Sequence, residues 1–151
     1  MKKLFEILPL PASASLGILI VRLVAGLAFV LHGWGKIQDP FGWDKGQTGY
    51  APILLGLAAL SEFGGGIAWI LGFLTPLASL GIACTMGVAT WLHAIKLGDP
   101  FVVTEPGKGS YELSALFLSI SLLLLLAGPG KLSLDRRVFG ERSRGKPPDS
   151  A

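Results

Sequence analysis

Four stretches of this chain are long and apolar enough to cross a bilayer, and no other feature restricts its fold as much. A membrane helix needs about 20 mostly apolar residues to cross roughly 30 Å of hydrocarbon. Residues 16–37 qualify, interrupted by Arg22 and His32; residues 52–73 carry Glu62 as their only charge. Residues 76–95 hold His93 near their end, and residues 111–128 open on Glu112 and close on a leucine run at 122–126. Only 15% of the chain is charged, against about 25% in an ordinary soluble domain. The expected fold is therefore all-α: a polytopic membrane protein built as a bundle of four transmembrane helices.

The breaks between the stretches have local causes. Asp39-Pro40-Phe41-Gly42 stops the first, because proline lacks an N–H and disfavours helix in the residue before it. Pro52 suits the first turn of the second. Gly72 and Pro76 bracket a short turn that makes helices 2 and 3 antiparallel neighbours. Asp99-Pro100 and Pro106-Gly107 break the chain before the fourth helix, and Gly128-Pro129-Gly130 ends it.

Basic residues set the expected orientation. Lys2 and Lys3 precede the first span; Lys131, Arg136, Arg137, Arg142, Arg144 and Lys146 follow the last. The long connections hold Lys36 and Lys45, then Lys96 and Lys108, each pair matched by two acids. Both termini are expected in the cytoplasm of a bacterial inner-membrane protein. The expected divisions are a cytoplasmic or interfacial segment at 1–15, the membrane domain at 16–128 and a basic tail at 129–151. Lys2-Lys3 and Ala12-Ser13-Ala14 imitate the two ends of a signal peptide, but the stretch between is short and holds Glu6, Pro9 and Pro11. The pI of 9.2 does not indicate nucleic-acid binding, because the basic residues gather in the tail, where they would meet solvent or anionic lipid.

The outer ends of helices 1 and 3 echo each other. His32, Lys36 and Asp39-Pro40-Phe41 recur as His93, Lys96 and Asp99-Pro100-Phe101, with one residue deleted. Two parallel-related helical hairpins would produce this pattern and place His32 and His93 at one depth.

An ionisable residue inside a span is costly, faces the bundle and takes a partner. Counted at 1.5 Å per residue, Arg22 lies roughly 9 Å and Glu62 about 16 Å from the cytoplasmic side. An Arg22–Glu62 ion pair is expected, which could serve only to lock helix 1 on helix 2. Gly65, Gly66 and Trp69 share the Glu62 face and leave room for close helix packing or for a flat ligand. At the outer end, His32, Lys36, His93 and Glu112 are expected within a turn of one interface, among Trp34, Trp43 and Trp91 of an aromatic belt. That cluster could cap the bundle, or bind a polar head group and move protons. Two histidines and a glutamate could instead hold a metal or a haem, but no local metal motif is present. The single cysteine, Cys84, excludes an intrachain disulfide and reads as a small apolar filler.

Taken together, Leu16-Gly17, Arg22-Leu23-Val24-Ala25-Gly26, His32-Gly33-Trp34-Gly35-Lys36, Glu62-Phe63-Gly64-Gly65-Gly66 and Gly72-Phe73-Leu74-Thr75-Pro76 resemble the DoxX family of small four-helix membrane proteins. The resemblance spans residues 16–128 and carries Arg22, His32, Lys36 and Glu62. It implies quinone-linked redox chemistry, as in a membrane subunit of a thiosulfate:quinone oxidoreductase. On that reading a quinone carbonyl accepts a hydrogen bond from His32, His93 or Lys36. Glu112 or Glu62 moves protons, and Arg22, Gly65, Gly66 and Trp69 shape the cofactor site. No flavin or nicotinamide fingerprint is present, so electrons would come from a partner subunit or from quinol. Two alternatives stand beside it: a non-catalytic accessory subunit that docks on a redox or photosynthetic complex, and a transporter of small solutes or protons that self-associates.

Overall fold

The computed structural model describes residues 9–103 and 105–140, and its ordered elements are all helical. They are α1 (Ala12–Gln38), α2 (Pro52–Leu71), α3 (Thr75–Trp91, continued as a π-helix over Leu92–Lys96), α4 (Glu112–Ala127) and a short α5 (Leu134–Phe139). Three are long and apolar enough to span a membrane: Ala12–Gln38, Pro52–Leu71 and Thr75–Lys96. The fourth, α4, is an apolar helix of 16 residues. Tyr111 and Gly128, expected inside it, are its caps, and Gly128 has a φ of 75°. Lys2, Lys3 and Glu6, and the tail residues Arg142, Arg144 and Lys146, lie outside the described residues.

The bundle buries polar side chains beside an apolar core of Phe29, Trp69 and Ile82, and its outside is apolar. Arg22, Glu62, Thr75, Ser79 and Ser121 are buried, whereas Val24, Leu31 and Leu126 are 67%, 66% and 77% exposed. Water would penalise that distribution; a lipid solvent favours it, because apolar side chains lose nothing against acyl chains and polar ones need internal partners. From α1 to α4 each helix packs on the next in chain order. Phe117 of α4 closes the ring against Phe29 of α1, with centroids 4.7 Å apart.

Glycines set the register of α1 on α2. A Cβ on Gly26 would lie 2.8 Å from the Gly66 carbonyl oxygen, one on Gly66 would lie 2.7 Å from that of Gly26, and one on Gly33 would lie 2.6 Å from the Phe63 nitrogen. Only hydrogen at these positions lets the two backbones approach so closely. The contact fixes which ionisable residues can meet.

The turn between α2 and α3 is tightly made. Gly72 ends α2 in a left-handed conformation (φ 63°), and the Phe73 N–H donates back to the Ala68 carbonyl, which is the Schellman closure. Leu74 is also left-handed (φ 50°), a strained position for a branched side chain. Asp135 of α5 holds it there by accepting from the N–H groups of Leu74 (2.7 Å) and Thr75 (2.9 Å). The stretch expected as a basic tail thus carries a helix that clamps the end of the bundle. Lys131 N–H donates to Ser15 Oγ, so that stretch is tied to α1 as well.

Candidate functional site

The expected Arg22–Glu62 pair does not form. Arg22 instead donates Nε to the Trp69 carbonyl (2.7 Å), Nη1 to those of Pro129 (2.8 Å) and Leu132 (2.9 Å), and Nη2 to that of Ile70 (3.1 Å). It therefore satisfies the orphan carbonyls at the C-terminus of α2, where a cation also suits the helix dipole. The register explains the error. Gly26 sits against Gly66 and Ile70, and Gly33 against Phe63, so Arg22 lies level with the end of α2. Glu62 lies level with residue 33, about 16 Å further along α1 at 1.5 Å per residue.

Glu62 takes Lys36 instead. The Nζ–Oε1 distance is 2.6 Å, with the Glu62 side chain 3% exposed and that of Lys36 27% exposed. The same ammonium lies 4.5 Å from the ring centroid of Trp43, a cation–π contact. Trp43 comes from the loop between α1 and α2 and donates its indole N–H to the Leu55 carbonyl (3.2 Å). It is thus folded over the pair rather than placed in an aromatic belt, whereas Trp34 and Trp91 are exposed.

The loop is held in this position by Asp44. Its carboxylate accepts from the Thr48 hydroxyl and from the N–H groups of Gly46 and Thr48. The Thr48 hydroxyl, and then the Gly46 N–H, keep this carboxyl below the usual carboxylate range. Phe41 closes the loop against Gly56, where a Cβ would lie 2.7 Å from the ring.

A groove of about 930 Å³ runs between α2 and α3, and Lys36 and Glu62 both line it. Trp43, Thr48, Tyr50, Ser61 and Thr85 complete its polar part, while Gly64, Gly65, Ala68, Leu74, Leu77 and Ala78 form the apolar wall toward the α2–α3 turn. Cys84 also lines the groove and is exposed, so it is not the buried filler expected of it. The sequence reading placed Trp43 in an aromatic belt and did not single out Tyr50 or Ser61. The signal within reach was Asp44-x-Gly46-x-Thr48, whose side-chain acceptor, glycine and hydroxyl spacing marks a turn that returns the loop.

The other expected site residues are distributed differently. Gly65 borders the groove, with Ile82 against it on the other side. Gly66 is filled by the α1 backbone. Trp69 is fully buried, edge-on to Phe29 at 5.5 Å and donating Nε1–H to Ser79 Oγ (2.9 Å), so the flat slot suggested beside Glu62 is occupied by core. His32 is exposed, and its Nδ1 lies 3.1 Å from the Ala28 carbonyl of its own helix. His93 lies in the π-helix with Nδ1 2.7 Å from Asp99 Oδ2. Glu112 is exposed in the first turn of α4. Among the described residues no hydrogen bond or ion pair joins any two of His32, Lys36, His93 and Glu112. The sequence echo therefore does not extend to local environment, because Lys36 turns inward to Glu62 while Lys96 is exposed. Among the described residues no group of three or more histidine, cysteine or acidic side chains could hold a metal.

Helices with leucine and valine outward, an ion pair inside and a groove open along the bundle wall define a multi-pass membrane protein with a lateral groove. The model of the DoxX family matches residues 17–94, and the chain belongs to that family. It is 35% identical to the inner membrane protein YqjF of Escherichia coli over 123 residues, covering 80% of this chain and 90% of that one. It is 30% identical over 135 residues to a Bacillus subtilis protein named "Putative oxidoreductase CatD", covering 88% and 95%. It is 33% identical over 127 residues to the Escherichia coli inner membrane protein YphA, covering 80% and 89%. No solved structure gives a significant match.

Proposed function

We propose that this chain is the membrane subunit of a quinone-linked oxidoreductase in a bacterial inner membrane, with both termini cytoplasmic. The observation that carries the reading is the Lys36–Glu62 pair at the polar part of an otherwise apolar lateral groove. Pockets for small molecules combine apolar walls with a few convergent polar groups, and this one opens where a lipid-soluble ligand already resides. The relative named as an oxidoreductase supports the chemical class.

In the proposed complex the quinone head enters between α2 and α3, and its isoprenoid tail follows the wall of Ala68, Leu74 and Leu77. Lys36 Nζ has three donors; one is engaged by Glu62, and another is available to a quinone carbonyl. Glu62 takes or returns a proton as the ring changes redox state. Gly65 leaves the wall free of a side chain. His32, His93 and Glu112 lie outside this arrangement, which moves the proposed chemistry away from the outer histidines. Electrons pass to or from a partner subunit that carries the second redox centre.

The test is quinone binding to the purified protein in nanodiscs, using menaquinone and ubiquinone analogues. Lys36→Met and the groove-filling Ala68→Phe are expected to weaken binding at least tenfold, while His32→Ala leaves it unchanged. If neither quinone binds, or if Ala68→Phe has no effect, the groove is not a quinone site. An accessory subunit would bind no quinone, and its partner would stay active when Lys36 is replaced.

A further inference from the structure

We infer that Glu62 exchanges its proton with one compartment only, the one faced by the loop at residues 39–50. The inference rests on the reading of Glu62 as the proton-handling group of the groove and adds a direction to it.

Three observations carry it. The first is the distribution of polar groups around the carboxylate. From α1 it meets Lys36; from the loop, Trp43, Thr48 and Tyr50 line the groove; Ser61 comes from α2 itself, and Cys84 and Thr85 come from α3. No α4 residue lines the groove. Ser61 Oγ lies beside Gly81, within 2.9 Å of where its Cβ would be. Thr85 is one turn beyond Gly81 on the loop side, so every hydrogen-bonding side chain of the groove lies at the depth of Glu62 or nearer the loop.

The second is the wall toward the α2–α3 turn. Gly64, Gly65, Ala68, Leu74, Leu77 and Ala78 offer no side chain that can carry a proton. Behind that wall the core is closed by Phe29 and Trp69, and Trp69 and Ile82 have no exposed surface. The hydroxyls on this side, Thr75 and Ser79, are sealed from solvent as well, and Ser79 Oγ accepts the Trp69 indole N–H. Arg22 ends the bundle there with its donors on four carbonyls, and a guanidinium so held does not release a proton.

The third is the gradient of exposure within the ion pair. Glu62 is 3% exposed and Lys36 27% exposed. The ammonium is the member of the pair that reaches outward, under Trp43. A proton that neutralises Glu62 frees Lys36 to turn toward the loop side. Return of the ammonium drives the proton off by the same route.

The experiment uses the full chain in sealed membrane vesicles, right-side-out and inverted, with a protease-sensitive C-terminal tag reporting which side the termini face. The pH of the two compartments is clamped separately. Labelling of Glu62 by a lipid-soluble carbodiimide, which requires the protonated acid, is followed by mass spectrometry, with Glu62→Gln as the blank. The infrared band of the protonated carboxyl, assigned with the same variant, is followed in parallel. Both signals are expected to follow the pH on the loop side, falling about tenfold per unit on the alkaline limb, and to ignore the pH on the side of the termini. Lys36→Arg keeps the sidedness. Signals that follow the termini side, both sides or neither overturn the inference. The readout needs no quinone, so a failure of quinone binding leaves it intact, and quinone binding without sidedness defeats it alone.

Discussion

Lys36 Nζ lies 2.6 Å from Glu62 Oε1, and this contact from α1 to α2 neutralises the one acid buried in the α2 span. Removing one member strands the other. Lys36→Met is expected to cost about 3 kcal/mol, in line with broken buried pairs. The double variant Lys36→Met/Glu62→Gln is expected to recover most of that loss, since no uncompensated charge remains. Unfolding of the two variants in mixed detergent micelles measures the difference. Equal losses in both would show that the carboxylate does not depend on Lys36.

Arg22 is the second buried cation, and its work is structural. Arg22→Leu removes the guanidinium donor from the carbonyls of Trp69, Ile70, Pro129 and Leu132, and leaves Trp69 with the Gly72 N–H. A loss of at least about 3 kcal/mol is expected, with faster proteolysis at residues 128–140 as the local sign. Arg22→Lys is expected to fall between, because an ammonium cannot reproduce the fork that spans two chain segments.

Glycines divide into two groups that predict opposite signs. Gly33→Ala and Gly66→Ala drive a methyl into the partner backbone at 2.6 and 2.7 Å, and each is expected to destabilise by about 1–3 kcal/mol. Gly17 and Gly87 have open space at the Cβ position. Their replacement by alanine is expected to stabilise by roughly 0.5–1 kcal/mol through helix propensity. Thermal unfolding of the four variants is the check.

Asp44 gives the loop at residues 39–50 a pH dependence. Its carboxyl is held below the ordinary value by the Thr48 hydroxyl first and the Gly46 N–H second. A depressed folded pKa contributes stability that is complete above the unfolded value, about 3.9, and is lost as the pH falls through the folded value. The loop is therefore expected to hold at neutral pH and loosen only below about pH 4. Trp43 fluorescence reports it, because the ring leaves Lys36 when the loop opens. Thr48→Val is expected to move the transition to higher pH, and Asp44→Asn to remove it.

Cys84 reports on the groove from the inside. It is exposed and lines the groove with Glu62, so a membrane-permeant maleimide is expected to label it while a charged, impermeant one does not. A bound quinone analogue is expected to slow the labelling several-fold. Labelling that is fast with both reagents would place the thiol in water rather than facing lipid.

The sequence by itself determined the solvent of this protein, its helices and its helix breaks. Hydropathy summed over about 20 residues, proline and glycine act locally, so residues 16–37, 52–73 and 76–95 could be read to within a few positions of α1, α2 and α3. It also singled out Arg22 and Glu62 as residues that must face the bundle, but it placed Lys36 at the outer end with His32, His93 and Glu112. Only the tertiary structure decided which of them meet. That choice depends on the vertical register of two helices, fixed where the backbones touch at Gly26, Gly33 and Gly66. Counting from presumed helix ends missed it, because α1 begins at Ala12 and overshoots the end of α2, where residues 129–135 cover it. The groove was illegible for the same reason: it belongs to the space between α2 and α3 and to a loop that folds back over them, not to any run of residues in the chain.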